Sequence, residues 1–177
     1  GRMAISEDFI VITDRGNAFS ATPVGAAHVY DTKTRNHLYT FQNPTPLFGS
    51  GSTISGDNIF VSDPKNGKVD QFSGTTGKLI RTFDSPNNKV GFGFDIDSSG
   101  NLLLVSERSL TCCSIGKAFL YDISTGELVK ELKNADPEPG HYYQGTFFGD
   151  QYGYRISFSG DAFAISAPGY LDYPVFV

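Results

Sequence analysis

Phe94-Asp95-Ile96-Asp97, then Ser98-Ser99-Gly100-Asn101, then Leu102-Leu103-Leu104-Val105 is the stretch that decides the fold. The first four residues alternate, the next four carry turn chemistry, and the last four are aliphatic. Alternation with period two marks a strand whose side chains point to opposite faces. Glycine and short amides supply the positive φ that tight hairpins need. The same pattern occurs three more times. Met3-Ala4-Ile5-Ser6 precedes Phe9-Ile10-Val11-Ile12, with Glu7-Asp8 between them. Ser52-Thr53-Ile54-Ser55 precedes Ile59-Phe60-Val61-Ser62 across Gly56-Asp57-Asn58. Ile156-Ser157-Phe158-Ser159 precedes Ala162-Phe163-Ala164-Ile165 across Gly160-Asp161.

A second half follows each of the first three hairpins. Gly25-Ala26-Ala27-His28-Val29-Tyr30-Asp31 leads to Leu38-Tyr39-Thr40-Phe41. Gly67-Lys68-Val69-Asp70-Gln71-Phe72-Ser73 leads to Leu79-Ile80-Arg81-Thr82-Phe83, and Gly116-Lys117-Ala118-Phe119-Leu120-Tyr121-Asp122 leads to Leu128-Val129-Lys130-Glu131-Leu132. Gly25 and Gly67 are 42 residues apart, Gly67 and Gly116 are 49 apart, and no window offers the apolar period of an amphipathic helix. Four short strands recurring every 45 residues or so spell an all-β β-propeller of four-stranded antiparallel blades. No such blade buries both its faces alone, so neighbours must supply the core. The chain is expected to be one propeller domain or propeller fragment of about 3.75 blades, over residues 3–47, 48–91, 92–150 and an incomplete 151–177. Phe163 is expected in an interblade core. Val175, Phe176 and Val177 read as the start of a strand, which suggests a fragment, a processed product or part of something longer. No basic-then-apolar leader follows Gly1-Arg2-Met3, so a secretory signal has been cleaved, left out or never present.

Composition narrows the function classes. In 177 residues, 14 basic and 19 acidic side chains leave a net charge of −5. No cationic footprint points to nucleic acid or to an anionic membrane. The longest aliphatic run, Leu102 to Val105, is far short of the ~20 residues of a membrane helix.

Phe48-Gly49, Phe92-Gly93 and Tyr152-Gly153 each stand before a first strand, and the last unit runs on through Ser166-Ala167-Pro168-Gly169. Together with the third and fourth strands, this resembles the FG-GAP repeat of integrin-alpha-type β-propellers, in its bacterial or secreted form. The resemblance implies an extracellular, periplasmic or particle-surface module for adhesion, protein or glycan binding, or assembly, rather than catalysis. It also implies calcium in a first hairpin, and the third unit comes nearest with Asp95, Asp97, Ser99 and Asn101. Two carboxylates and two weak ligands fall short of the six to eight oxygens calcium takes, so a plain hairpin turn is the competing reading. No other cofactor is implied.

Cys112 and Cys113 are neighbours; they can form a vicinal disulfide, stay reduced or pair with another chain. His28 and His37 have no partners at metal-ligand spacing and read as structural. Asp31 and Asp122 recur at the ends of third strands, with Ser73 in the equivalent place, and read as turn formers. The link from residue 134 to 154 is the longest between units, and six of the fourteen residues 141–154 are Phe or Tyr. Its residues His141, Tyr142, Tyr143, Phe147 and Phe148 are the candidate partner-binding set, against the reading that they pack between blades. The expected partner is a protein or glycan, and the incomplete last blade points to an oligomer or a larger assembly. A propeller enzyme, either quinone-dependent dehydrogenase-like or a polysaccharide lyase, is the alternative. Adjacent cysteines favour it slightly and the absence of Trp counts against it.

Overall fold

The short turns close where glycine sits between alternating segments. In a computed structural model describing residues 2–16, 24–108, 116–135, 141–143, 146–148 and 151–167, Gly56, Gly100 and Gly160 have φ of 57°, 56° and 56° at the tips of equivalent hairpins. The described residues form sixteen strands and no helix. Strands β1 (Met3–Ile5), β2 (Phe9–Asp14), β3 (Gly25–Asp31) and β4 (His37–Asn43) make the first antiparallel sheet. The second holds β5 (Ser52–Ser55), β6 (Asn58–Asp63), β7 (Lys68–Ser73) and β8 (Leu79–Asp84). The third holds β9 (Phe92–Ser99), β10 (Leu102–Glu107), β11 (Lys117–Asp122) and β12 (Leu128–Leu132). Each sheet runs in chain order, and in each the pairing of the last two strands shifts register at one place, beside Tyr30, Phe72 or Tyr121.

Two hairpins complete the described structure. Strands β13 (His141–Tyr143) and β14 (Thr146–Phe148) lie in the long link, where the sequence pattern gives no sign of pairing. Strands β15 (Ile156–Ser159) and β16 (Ala162–Ile165) open the fourth unit.

Stacking of the sheets explains the unbroken aliphatic second strands. First strands neighbour one another in the order β1, β5, β9, β15. Val11, Val29 and Phe41 of the first sheet pack on Ile59 and Val61 of the second. Phe60, Val69 and Phe83 on the second sheet's other face pack on Leu103, Val105, Phe119 and Tyr121 of the third. Leu104, Ala118 and Leu120 then meet Ile156, Phe158 and Ile165 of the fourth unit. Successive residues of β6 and β10 therefore enter different cores, and both faces must be apolar. Outer-strand rings bridge the sheets as well. Phe41 stacks on Phe72 at 3.9 Å between centroids, and Phe83 meets Tyr121 edge-on at 5.1 Å.

Phe163 does not occupy the core position expected of it. It touches Phe158 edge-on at 5.9 Å and is 42% exposed. Among the described residues β16 has β15 as its sole strand partner, so nothing there covers its outer side. The first sheet is open on its other face, where Met3, Ile5 and Ile12 are exposed. Their counterparts in the fourth unit, Ile156, Phe158 and Ile165, are the residues that pack on the third sheet.

Candidate binding site

Each first strand is started by a hydroxyl eleven residues ahead. Thr13 Oγ1 accepts from the Arg2 amide at 2.9 Å, and Ser62 Oγ from the Gly51 amide at 2.7 Å. Ser106 Oγ accepts from the Asp95 amide at 2.9 Å, and Ser166 Oγ from the Arg155 amide at 2.9 Å. The repeat thus places Arg2, Gly51, Asp95 and Arg155 at equivalent points, just before β1, β5 and β15 and within β9. Arg2 and Arg155, with Ser50 and Phe94 one residue before the other two points, line a cavity of about 210 Å³ together with Arg15.

The charges there are unequal. Arg2 Nη1 reaches across to Asp95 Oδ1 at 2.6 Å, joining the first unit to the third. The Asp95 side chain is only 3% exposed, and its Oδ2 accepts from the Ile156 amide at 3.1 Å. Burial pushes its carboxyl above the usual aspartate range, against the opposing pull of Arg2 and the Ile156 amide. Arg15 and Arg155 have no carboxylate in ion-pair range among the described residues. Arg108 is anchored beside the cavity, its guanidinium 4.5 Å from the Phe94 centroid and 4.4 Å from that of Tyr154. Such stacking holds a planar cation in place without neutralising it. The acidic composition gives no hint of this cluster, whose members are far apart in sequence and carry no motif. The one available signal is positional: Arg2 and Arg155 both stand eleven residues before a second-strand hydroxyl.

The residues expected as calcium ligands have other partners. Asp97 Oδ2 accepts from the Phe158 amide at 2.8 Å, two residues along β15 from the amide that Asp95 takes. Asp97 Oδ1 accepts from Thr53 Oγ1 at 3.2 Å and from the Ser98 amide at 2.9 Å. The two aspartates, on one face of β9, act as a side-chain ladder for the neighbouring first strand. Ser99 Oγ donates to the Gly160 carbonyl, and Asn101 Nδ2 donates to Asp122 Oδ2 at the outer turn. Among the described residues no three His, Cys, Asp or Glu side chains gather as a metal site.

The remaining candidates divide. His141 lies opposite Phe148 and Tyr142 opposite Phe147 in the β13–β14 register, with Tyr143 opposite Thr146; their side chains lie outside the described residues. Cys112 and Cys113 also lie outside them. His28 Nδ1 and His37 Nε2 both meet Thr40 Oγ1, at 3.1 and 2.8 Å, in a structural cluster. Asp31 accepts from the Thr34 amide, and Asp122 from Ser124 Oγ and the Thr125 amide, as turn formers do. Those bonds hold the Asp122 carboxyl at about 2, well below its usual value.

A solved chain titled Kuenenia stuttgartiensis Hydrazine Synthase, a propeller-containing protein, superposes with a TM-score of 0.57 over 79% of this chain, at 17% identity. The fold is propeller-like. At that identity the likeness is one of fold alone, and the present chain spans 38% of the length of that structure. No protein-family model and no curated protein matches the sequence.

Proposed function

We propose that the stacked sheets are consecutive blades of a β-propeller, and that the chain is a non-catalytic binding module whose recognition end is the arginine-lined mouth. The observation that carries this reading is the convergence of four first-strand entries on one open, positively charged cavity. Propeller loops and strand ends on a rigid stack are natural places for binding residues. The cavity is smaller than the ~300–1,000 Å³ pockets that enclose drug-sized ligands. That size suits a single sugar unit better than a protein surface, which needs ~1,200–2,000 Å² of contact. A glycan partner is therefore preferred over a protein. The resemblance to FG-GAP repeats and a surface location belong to the same proposal. They draw support from Gly49, Gly93 and Gly153, which share φ near 80–84° and pack in turn on Thr13, Ser62 and Ser106 of the preceding unit. The bare Met3, Ile5 and Ile12 face supports packing against a further sheet in a larger ring or assembly.

The test is an oligosaccharide array followed by amide chemical-shift mapping of the best binder. Shifts gathered at Arg2, Ser50, Tyr154 and Arg155 are expected. Shifts gathered at the opposite turns, around Asp57 and Ser124, or no saccharide bound at all, would overturn the proposal.

A further inference from the structure

We propose that the mouth recognises an acidic sugar and grips its carboxylate between Arg15 and Arg155; this rests on the binding reading above and specifies its ligand class. Three guanidinium groups line the cavity. The one carboxylate paired with them, Asp95, is already committed to Arg2 and to the Ile156 amide. Two lining cations are therefore left uncompensated among the described residues, in a protein whose net charge is −5. Arg2 is paired with Asp95 and Arg155 lies 5.5 Å from the Tyr154 ring centroid, but three cations around one carboxylate still repel one another. A bound anion removes that repulsion.

The wall chemistry narrows the anion further. A guanidinium presents a planar fork of donors that matches a carboxylate with two parallel bonds. Phe94 supplies an apolar wall beside the cations, and Arg108 stacked on that ring fixes its position. Ser50 adds a hydroxyl whose proton is directed to the Leu47 carbonyl at 2.8 Å, so its oxygen remains available as an acceptor. Cations for a carboxylate, a ring edge for an apolar C–H face and an acceptor for a hydroxyl together describe a uronate-type sugar. A free inorganic anion would use the cations alone. An acidic peptide would offer the carboxylate without the hydroxyls.

The experiment uses calorimetric titration of the whole chain with three probes: a glucuronate-containing tetrasaccharide, the same tetrasaccharide with its carboxyls reduced, and tetraglutamate. The uronate probe is expected to bind at least about tenfold more tightly than either of the others, with affinity falling as salt rises. Arg15→Gln and Arg155→Gln, both on exposed side chains, should each weaken it about tenfold; Arg15→Gln should leave the melting temperature unchanged, and Arg155→Gln, which also loses the Tyr154 ring, should lower it by no more than about 2–4 °C. Arg35→Gln, in the turn between β3 and β4, should change nothing. Equal binding of the neutral and acidic sugars would refute the anion requirement and leave the glycan-binding reading standing. Tetraglutamate binding as tightly as the uronate would refute the sugar assignment. Failure of all three probes would remove the binding reading as well.

Discussion

Two glycines of the second unit, Gly49 and Gly56, have the same backbone hand and opposite surroundings, which makes them a controlled pair. Gly56 has φ +57° and open space where a Cβ would stand. Gly49 has φ +80°, and a Cβ there would come within 2.8 Å of the Ala26 carbonyl oxygen and 3.3 Å of Thr13 Cβ. Alanine at either site pays about 1–2 kcal/mol for the left-handed conformation. Stiffening of the unfolded chain returns about 0.4–1 kcal/mol. Gly56→Ala should therefore cost about 0.5–1 kcal/mol net. Gly49→Ala adds the cost of overpacking a rigid carbonyl, about 1–3 kcal/mol, and should lose about 1.5–4 kcal/mol in all. At about 2–4 °C per kcal/mol for a domain of this size, the melting temperatures should fall by roughly 1–4 °C and 3–16 °C. Thermal melts and urea titrations followed by circular dichroism read both. Two variants with the same melting temperature would show that the Phe48-Gly49 step is not wedged against the first sheet, and the blade-to-blade docking derived from it would fall.

Asp97→Asn replaces one carboxylate oxygen with a donor that must face the Phe158 amide or Thr53 and Ser98. A loss of about 1.5–3 kcal/mol is expected, with faster hydrogen exchange at Phe158 and no change in β2 or β3. Phe41→Ala removes the ring stacked on Phe72 and should cost about 3–5 kcal/mol in urea unfolding. A double-mutant cycle with Phe72→Ala should give a coupling of about 0.5–1.5 kcal/mol; zero coupling would dissolve the pair. Asp122 is depressed from 3.8 to about 2 by the turn bonds, and Asp31 and Asp57 are also lowered. The Asp122 contribution to stability is full above about pH 4 and is lost as pH falls from there through about 2, and Asp31 and Asp57 act in the same direction. Asp95, raised by burial, has the opposite sign, its ionisation lowering stability as pH climbs above its unfolded value of 3.8. A carboxyl titration by NMR should place the Asp122 midpoint near 2, and a midpoint near 3.8 would contradict the turn geometry.

The strands and their turns were legible from residue order because the signals that specify them are local. Period-two alternation, a glycine at three of the four first hairpin tips and an aspartate or serine at the end of each third strand act over a few residues, and they recur at a readable spacing. That each blade needs its neighbours for a core was legible too, and the unbroken apolar runs in β6 and β10 agree with their burial on both faces. Phe163 marks the limit of that logic. Its alternation places it on the inward side of a strand, but burial depends on whether other strands lie beside it. The Asp95 and Asp97 pair shows the same limit, since a spacing suited to a cation loop serves equally well to hold the amides of a neighbouring strand. The mouth lies beyond local reading altogether. Arg2, Arg15 and Arg155 are brought together because stacked sheets carry each first strand to a common end, and charges 153 residues apart acquire a shared field only after the chain has folded.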